Sequence, residues 1–368
     1  MISFKQNWDE TLQRFDAWFH NKPCDRPLMH IMVKRSKGLQ VPKLPEEPFT
    51  SDEDVYTNTD KQFARVMNWY CHDVKPIAEG FPKFSMDLGA GSMALYLGSE
   101  PVFTPETVWF KPFMENYDTP LQYDPNNFWW KKHLEILRRQ VELTKDTDIV
   151  CCIPDIVENI DILSAIRDPQ ACCFDLYDHP EEVKTAMNEI TNLYKVYYNP
   201  MYDIVKRKDG ASAFTHFDVV GPGKTAKLQC DFAAMMSPEH FNEYVLPTLE
   251  DQCSWLDNTI FHLDGPECFQ HADAILSIER LGGLQWTPGA RNPKAGSECW
   301  FPLYKKVKEA EKGLWLMFTD YAPQEAIAMA DRVVRKFGHK GFYFVFPVMS
   351  ESEGEQLMLL AEEWGKCK

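Results

Sequence analysis

The sequence predicts a closed barrel of parallel strands wrapped by helices, a (β/α)8 or TIM barrel, and three observations carry that reading. Apolar, β-rich runs recur eight times along the 368 residues, each ending at a turn signal. Helical stretches separate most of the runs, and strand–helix alternation with single short strands implies a parallel sheet. The length suits one barrel with additions, since such barrels run from ~200 to more than ~400 residues.

In chain order, residues 1–24 open as an amphipathic helix ahead of the barrel. The first strand is 27–33, Pro-Leu-Met-His-Ile-Met-Val, ending at Lys34 and Arg35. Residues 37–75, with Pro42, Pro45, Pro48 and several acids, read as an insertion after it. The second strand, 84–88, ends in Gly-Ala-Gly, and 89–127, rich in Pro, Gly and aromatics, reads as a second insertion. Loops that long inside a compact domain are usually lids or substrate walls. Segment 128–144 spaces its apolar residues for a helix with a charged opposite face. Strand 149–153 leads to Pro154-Asp155, and helix 181–198 follows Pro180, a first-turn proline. After strand 212–217, Ser237 and Pro238 supply the N-cap and first position of another helix. Strands 259–263, 283–287, 314–319 and 342–346 then alternate with helices 302–310, 323–337 and 353–365. No repeat or low-complexity linker interrupts the chain, so 1–368 reads as one domain.

Composition narrows the function. Net charge is −16 without a concentrated Lys/Arg cluster, which disfavours nucleic acid and anionic membranes as partners. No run approaches the ~18 apolar residues of a membrane span. The N-terminus lacks a secretory apolar stretch, and the expected location is the cytoplasm. Eleven cysteines, without any CxxC spacing, read as reduced thiols filling the core. Homo-oligomerisation is compatible with all of this.

Barrel chemistry sits at the C-terminal ends of the strands. Those ends carry Arg35, Asp87, Asp155 with Glu158, His216 with Asp218, His262 with Asp264, and Trp286. The most informative stretch is 258–266, Asn-Thr-Ile-Phe-His-Leu-Asp-Gly-Pro. Side chains two apart on a strand share a face, so His262 and Asp264 project together. The two His-x-Asp pairs are expected on consecutive strands ~4.8 Å apart, converging on one ion or substrate. Three readings stand side by side: a mononuclear Zn²⁺ site, metal-free acid–base or substrate binding, and a structural network at the barrel mouth. Asp155 and Glu158 share a face if a helix starts there, and Asp231 precedes a helix cap and lines the same pocket. Asp87-Leu-Gly-Ala-Gly matches no phosphate-binding pattern.

Four segments resemble the uroporphyrinogen decarboxylase superfamily: 228–247 (Leu-Gln-Cys-Asp-Phe-Ala-Ala-Met-Met-Ser-Pro-Glu onward), His262-Leu-Asp-Gly-Pro, Leu284-Gln-Trp-Thr-Pro-Gly-Ala and Asp25-Arg-Pro-Leu. The resemblance implies a (β/α)8 barrel and either tetrapyrrole decarboxylation or zinc-dependent methyl transfer with a corrinoid protein or another methyl carrier. Decarboxylases of that kind carry an arginine-rich loop after the first strand; here the place reads Val33-Lys-Arg-Ser-Lys-Gly, leaving Arg35 and the nearby lysines. The methyltransferase branch binds zinc through His-x-Cys-Gly and a later cysteine. This chain has His262-Leu-Asp264-Gly265, and its last strand holds no cysteine.

The leading expectation is therefore a methyltransferase moving a methyl group between a small methylated substrate and a corrinoid or thiol acceptor. His262 and Asp264 are its metal ligands, Glu158, Asp155, His216 and Asp87 its catalytic groups, and Arg35, Asp218, Asp231 and Trp286 its substrate contacts. The alternatives are a metal-independent decarboxylase or lyase acting on a carboxylated molecule, with Asp87 or Asp155 as acid–base group and Arg35 as carboxylate anchor, and a non-catalytic binder.

Overall fold

The computed structural model describes residues 2–366. Met1, Cys367 and Lys368, included in the one-domain expectation, lie outside the described residues. The strands are β1 (Leu28–Lys34), β2 (Val74–Ala78), β3 (Lys83–Phe84), β4 (Pro101–Phe103), β5 (Val108–Phe110), β6 (Val150–Ile153), β7 (Ser212–Phe214), β8 (Val219–Gly221), β9 (Thr225–Gln229), β10 (Asn258–Asp264), β11 (Gly283–Thr287), β12 (Gly313–Met317) and β13 (Phe342–Val345). One sheet runs β1-β13-β12-β11-β10-β9, all parallel, with β2 antiparallel at the β1 edge. A second runs β3-β6-β7-β8, antiparallel only at β8. Ser212 joins the sheets: its hydroxyl donates to Gly223 O (2.7 Å) and accepts from Thr225 N–H (3.0 Å). The predicted α/β barrel is the fold observed.

All eight predicted strands are present, with differences that have physical causes. Strand β9 (Thr-Ala-Lys-Leu-Gln) is additional to the eight, and its polar Lys227 and Gln229 are buried. Strand β2 falls at the end of the 37–75 insertion, which also contains helices Asp52–Thr57 and Thr59–Asn68. Ser51 and Asn58 cap these helices by accepting from the N–H groups of Asp54 and Lys61. Predicted strand 84–88 is paired only over Lys83–Phe84, after which the chain runs unpaired toward the barrel mouth. The 89–127 insertion holds the antiparallel β4–β5 hairpin.

Helices Phe128–Thr144 and Pro323–Phe337 match their apolar periodicity end to end. The helix expected over 181–198 extends to Pro180–Val205 and runs through Pro200. The N-terminal helix is Trp8–Phe19, shorter than 1–24. It closes the bottom of the barrel. Phe15 and Trp18 meet the Tyr343 ring edge-on at 5.2 and 5.7 Å, and Trp18 Nε1 donates to Gly341 O at 2.9 Å. Strands β11 and β12 each begin with glycine because a Cβ at Gly283 or Gly313 would lie 2.6 Å from the Trp18 indole. With that end plugged, the opposite rim is left for chemistry. Among the described residues, no helix is long and apolar enough to cross a membrane.

Candidate functional site

Strand register builds the site. Gln229, His262 and Gln285 are direct partners across β9, β10 and β11. Alternation of side chains makes the next inward row Asp231, Asp264 and Thr287, with Asp264 and Thr287 in register. One ligand atom from each of Asp231, His262 and Asp264 lies within 4.8 Å of the others. Asp231, expected as a substrate contact, thus joins the two expected metal ligands.

The histidine is oriented for ligation. His262 Nδ1 is hydrogen-bonded to Gln285 Oε1, and that amide is held by Nε2 donating to Thr287 Oγ1 at 2.8 Å. A carbonyl oxygen only accepts, so Nδ1 carries the hydrogen and Nε2 presents its lone pair. Burial first, then the Lys227 charge, lowers the His262 pKa and favours this neutral ring.

Beneath the triad, acids outnumber cations. Buried Lys227 pairs with buried Asp155 at 2.8 Å and also donates to Gln229 Oε1. Gln229 Nε2 donates to Asp161 Oδ2 and Asp231 Oδ2, each at 3.0 Å, while its backbone N–H donates to Glu158 Oε1 at 2.7 Å. Asp161 further accepts from the N–H groups of Asp231 and Phe232, both at 2.9 Å. Glu158 Oε2 and Asp155 Oδ1 are buried without a hydrogen-bond partner in the described structure. Burial pushes the Glu158 carboxyl up to about 8, against the pull of Lys227. Burial, then repulsion from Asp161, pushes Asp231 up to about 7. A divalent cation fits this arrangement: zinc accepts imidazole nitrogen and carboxylate oxygen, and a catalytic zinc needs three protein ligands and an open position.

The other predicted residues fall elsewhere. The two His-x-Asp pairs do not converge, because β9 separates the β7 segment from β10 and His216 and Asp218 occupy the tight reversal between β7 and β8. His216 Nε2 bonds Asp87 Oδ2 at 2.7 Å. Asp218 Oδ1 pairs instead with Lys83 at 2.7 Å, with His30 Nε2 at 3.7 Å, and its backbone oxygen accepts from Tyr343. Both His216 (φ 59°) and Asp218 (φ 48°) are left-handed, a strain of about 1–3 kcal/mol each that the surrounding contacts must offset. Phe217 between them packs edge-on against His262, ring centroids 5.3 Å apart. No helix spans 155–158; the helix begins at Asn159, and the two carboxylates reach β9 from an extended loop. Arg35 Nε is spent on the carbonyls of Tyr70 and Val74 (2.9 and 2.8 Å), tying down the first insertion. Trp286 lies on the face opposite Gln285 and is fully buried against Phe269 and Trp300 at 4.7 and 5.1 Å, away from His262. Cys230 is core, its thiol pushed well up by burial.

A cavity of about 590 Å³ adjoins Gln229 and Asp231. Its walls are apolar: Val108 and Trp109 from the β4–β5 hairpin, with Val157, Ile162, Phe232 and Met235. Sequence reading missed Lys227, Gln229 and Asp161. A signal existed, for Thr225, Lys227, Gln229 and Asp231 are polar at every second position while Ala226 and Leu228 between them are apolar.

Fold and site together define an α/β barrel with a cation-competent acidic mouth. No family profile and no curated protein matches the sequence. Among solved structures, the fold is similar to that of a methyltransferase from Methanosarcina mazei at TM-score 0.63 and 12% identity, covering 96% of this chain and 98% of that one. A B12-independent methionine synthase from Shewanella sp. W3-18-1, in complex with selenomethionine, is 9% identical at TM-score 0.47, covering 92% and 96%. At 12% identity, the first likeness is one of fold.

Proposed function

We propose that the protein is a methyltransferase that moves a methyl group between a small methylated substrate and a corrinoid or thiol acceptor. The observation that carries this reading is the Asp231–His262–Asp264 triad, three ligand atoms within 4.8 Å on a floor with excess negative charge. The fold shared with a methyltransferase agrees with it. A Zn²⁺ held there supplies Lewis acidity toward the heteroatom of the substrate or acceptor. Gln285 holds the His262 ring through Nδ1 and so leaves the Nε2 lone pair for a ligand, and Lys227 is bound to both Asp155 and Gln229. The cavity beside Asp231 offers an apolar wall to the body of a small substrate.

Elemental analysis of purified protein tests the reading. One zinc per chain, lost in His262→Ala and in Asp231→Asn, is the expected result. Protein that binds no divalent ion even after zinc addition would sink it.

One observation favours a second reading, a metal-independent carboxy-lyase. Glu158, pushed up to about 8, holds its proton at neutral pH as a general acid must. Against it, the expected carboxylate anchor Arg35 is engaged with backbone carbonyls. Turnover of a carboxylated substrate by metal-free protein, abolished in Glu158→Gln, separates the two.

A further inference from the structure

The reversal between β7 and β8 presents a proton-transfer dyad that neither the triad nor the acidic floor uses. The geometry points to His216, held by Asp87, as the group that delivers a proton to the leaving heteroatom during methyl transfer; this rests on the methyltransferase reading above.

The dyad has the parts of a positioned acid. Asp87 is buried, with one oxygen fixed by the Gly89 N–H at 2.9 Å and the other on His216 Nε2 at 2.7 Å. The imidazole is the opposite: its side chain is 56% exposed, with Nδ1 left for a substrate. Its backbone is held left-handed, and the turn is pinned two residues on, where Asp218 binds Lys83 and the Tyr343 hydroxyl. Phe217, the next residue in the turn, packs on His262, and the Asp155 charge acts on both the His216 and the His262 rings.

The charged groups around the ring favour its protonated form. Burial opposes the charge, but the hydrogen bond and charge of Asp87, helped by Asp155 and opposed by Lys83, raise the His216 pKa. Asp87 in turn is held low: burial works against it, but His216, the Gly89 N–H and His133 together outweigh that cost. Aspartate behind histidine holds the tautomer and stabilises the imidazolium, as in other His–Asp pairs.

The step balances. The acceptor's electron pair attacks the methyl carbon as the carbon–oxygen bond breaks. That bond's electrons stay on oxygen, and the imidazolium proton neutralises the alkoxide or phenoxide. A sulfonium donor leaves as a neutral thioether and needs no proton.

The contrast between donors supplies the test, with cob(I)alamin as acceptor, anisoles of graded ring substitution as ethers and trimethylsulfonium as the proton-independent donor. His216→Asn is expected to lower ether turnover by about 10²-fold or more, least for electron-poor rings, and to leave sulfonium turnover and bound zinc unchanged. Equal losses with both donor types, or none, would overturn the proposal. Zinc retained in His216→Asn but lost in His262→Ala keeps failure of the dyad distinct from failure of the metal reading. Should no donor react or the His216 variant misfold, ¹⁵N titration of the His216 ring in wild type and Asp87→Asn still decides. A ring pKa that drops on Asp87→Asn supports the dyad; one indifferent to that change overturns it.

Discussion

Lys227 shows how one residue holds the floor together. It is the cation shared by Asp155 and the Gln229 amide, with no exposure of its side chain. Removing one partner of a buried ion pair leaves an uncompensated charge at a cost of about 3–5 kcal/mol. Lys227→Met is therefore expected to lower stability by roughly that amount in urea unfolding, and Lys227→Met with Asp155→Leu to recover most of it. If the double variant is as unstable as the single one, the pair is not the cause. Glu158 makes a pH prediction. Its folded carboxyl is pushed up by burial to about 8 from its ordinary value of 4.5, so between those values the folded state binds more protons than the unfolded. Stability then falls as pH rises through that window, by up to about 1.4 kcal/mol per pH unit for one group. Glu158→Gln is expected to flatten this slope in chelator-treated protein; an unchanged slope assigns it elsewhere. Neither residue type announces such roles in the sequence. Lys227 reads as an ordinary charged residue, and Glu158, though singled out as a catalytic group, shows no sign there of its burial, because burial and partners come from segments about 70 positions apart, as the Glu158–Gln229 bond illustrates with a separation of 71.

Elements were legible in proportion to their self-sufficiency. Helix Pro323–Phe337 carries its own proline start, apolar stripe and Gly338 stop, and its limits follow from sequence. Strand β9 alternates polar and apolar residues, but its inward row is the polar one, and only the site makes that row buried. The N-terminal helix depends on what it meets. Trp18 seats over Gly283 and Gly313, where a Cβ would come within 2.6 Å of the indole. Gly313→Ala is expected to destabilise the protein by about 1–3 kcal/mol through overpacking, although alanine is otherwise the easier residue to order in a strand. A thermal melt that is unchanged or improved would show that the helix can shift without penalty.

At the scale of the molecule, folding and site occupancy are linked. A ligand that binds only the folded chain stabilises it by about 2.7 kcal/mol at one hundred times its Kd. Zinc is expected to raise the melting temperature of wild type in a chelator-reversible way and to leave His262→Ala unmoved. The barrel itself was readable, because strand–turn–helix alternation is a local pattern repeated along the chain. So was the projection of His262 with Asp264, a consequence of the two-residue period of a strand. What the sequence by itself determined was thus whatever neighbours in the chain can settle: periodicity, caps and which side chains share a face. Tertiary structure alone decided that Asp231 lies within reach of His262 and Asp264, that His216 answers to Asp87 across 129 positions, that Arg35 bonds the carbonyls of the first insertion, and that Trp286 packs on the face opposite Gln285. Those outcomes depend on strand register and loop closure, which are set by the whole core at once and leave no mark at any single position.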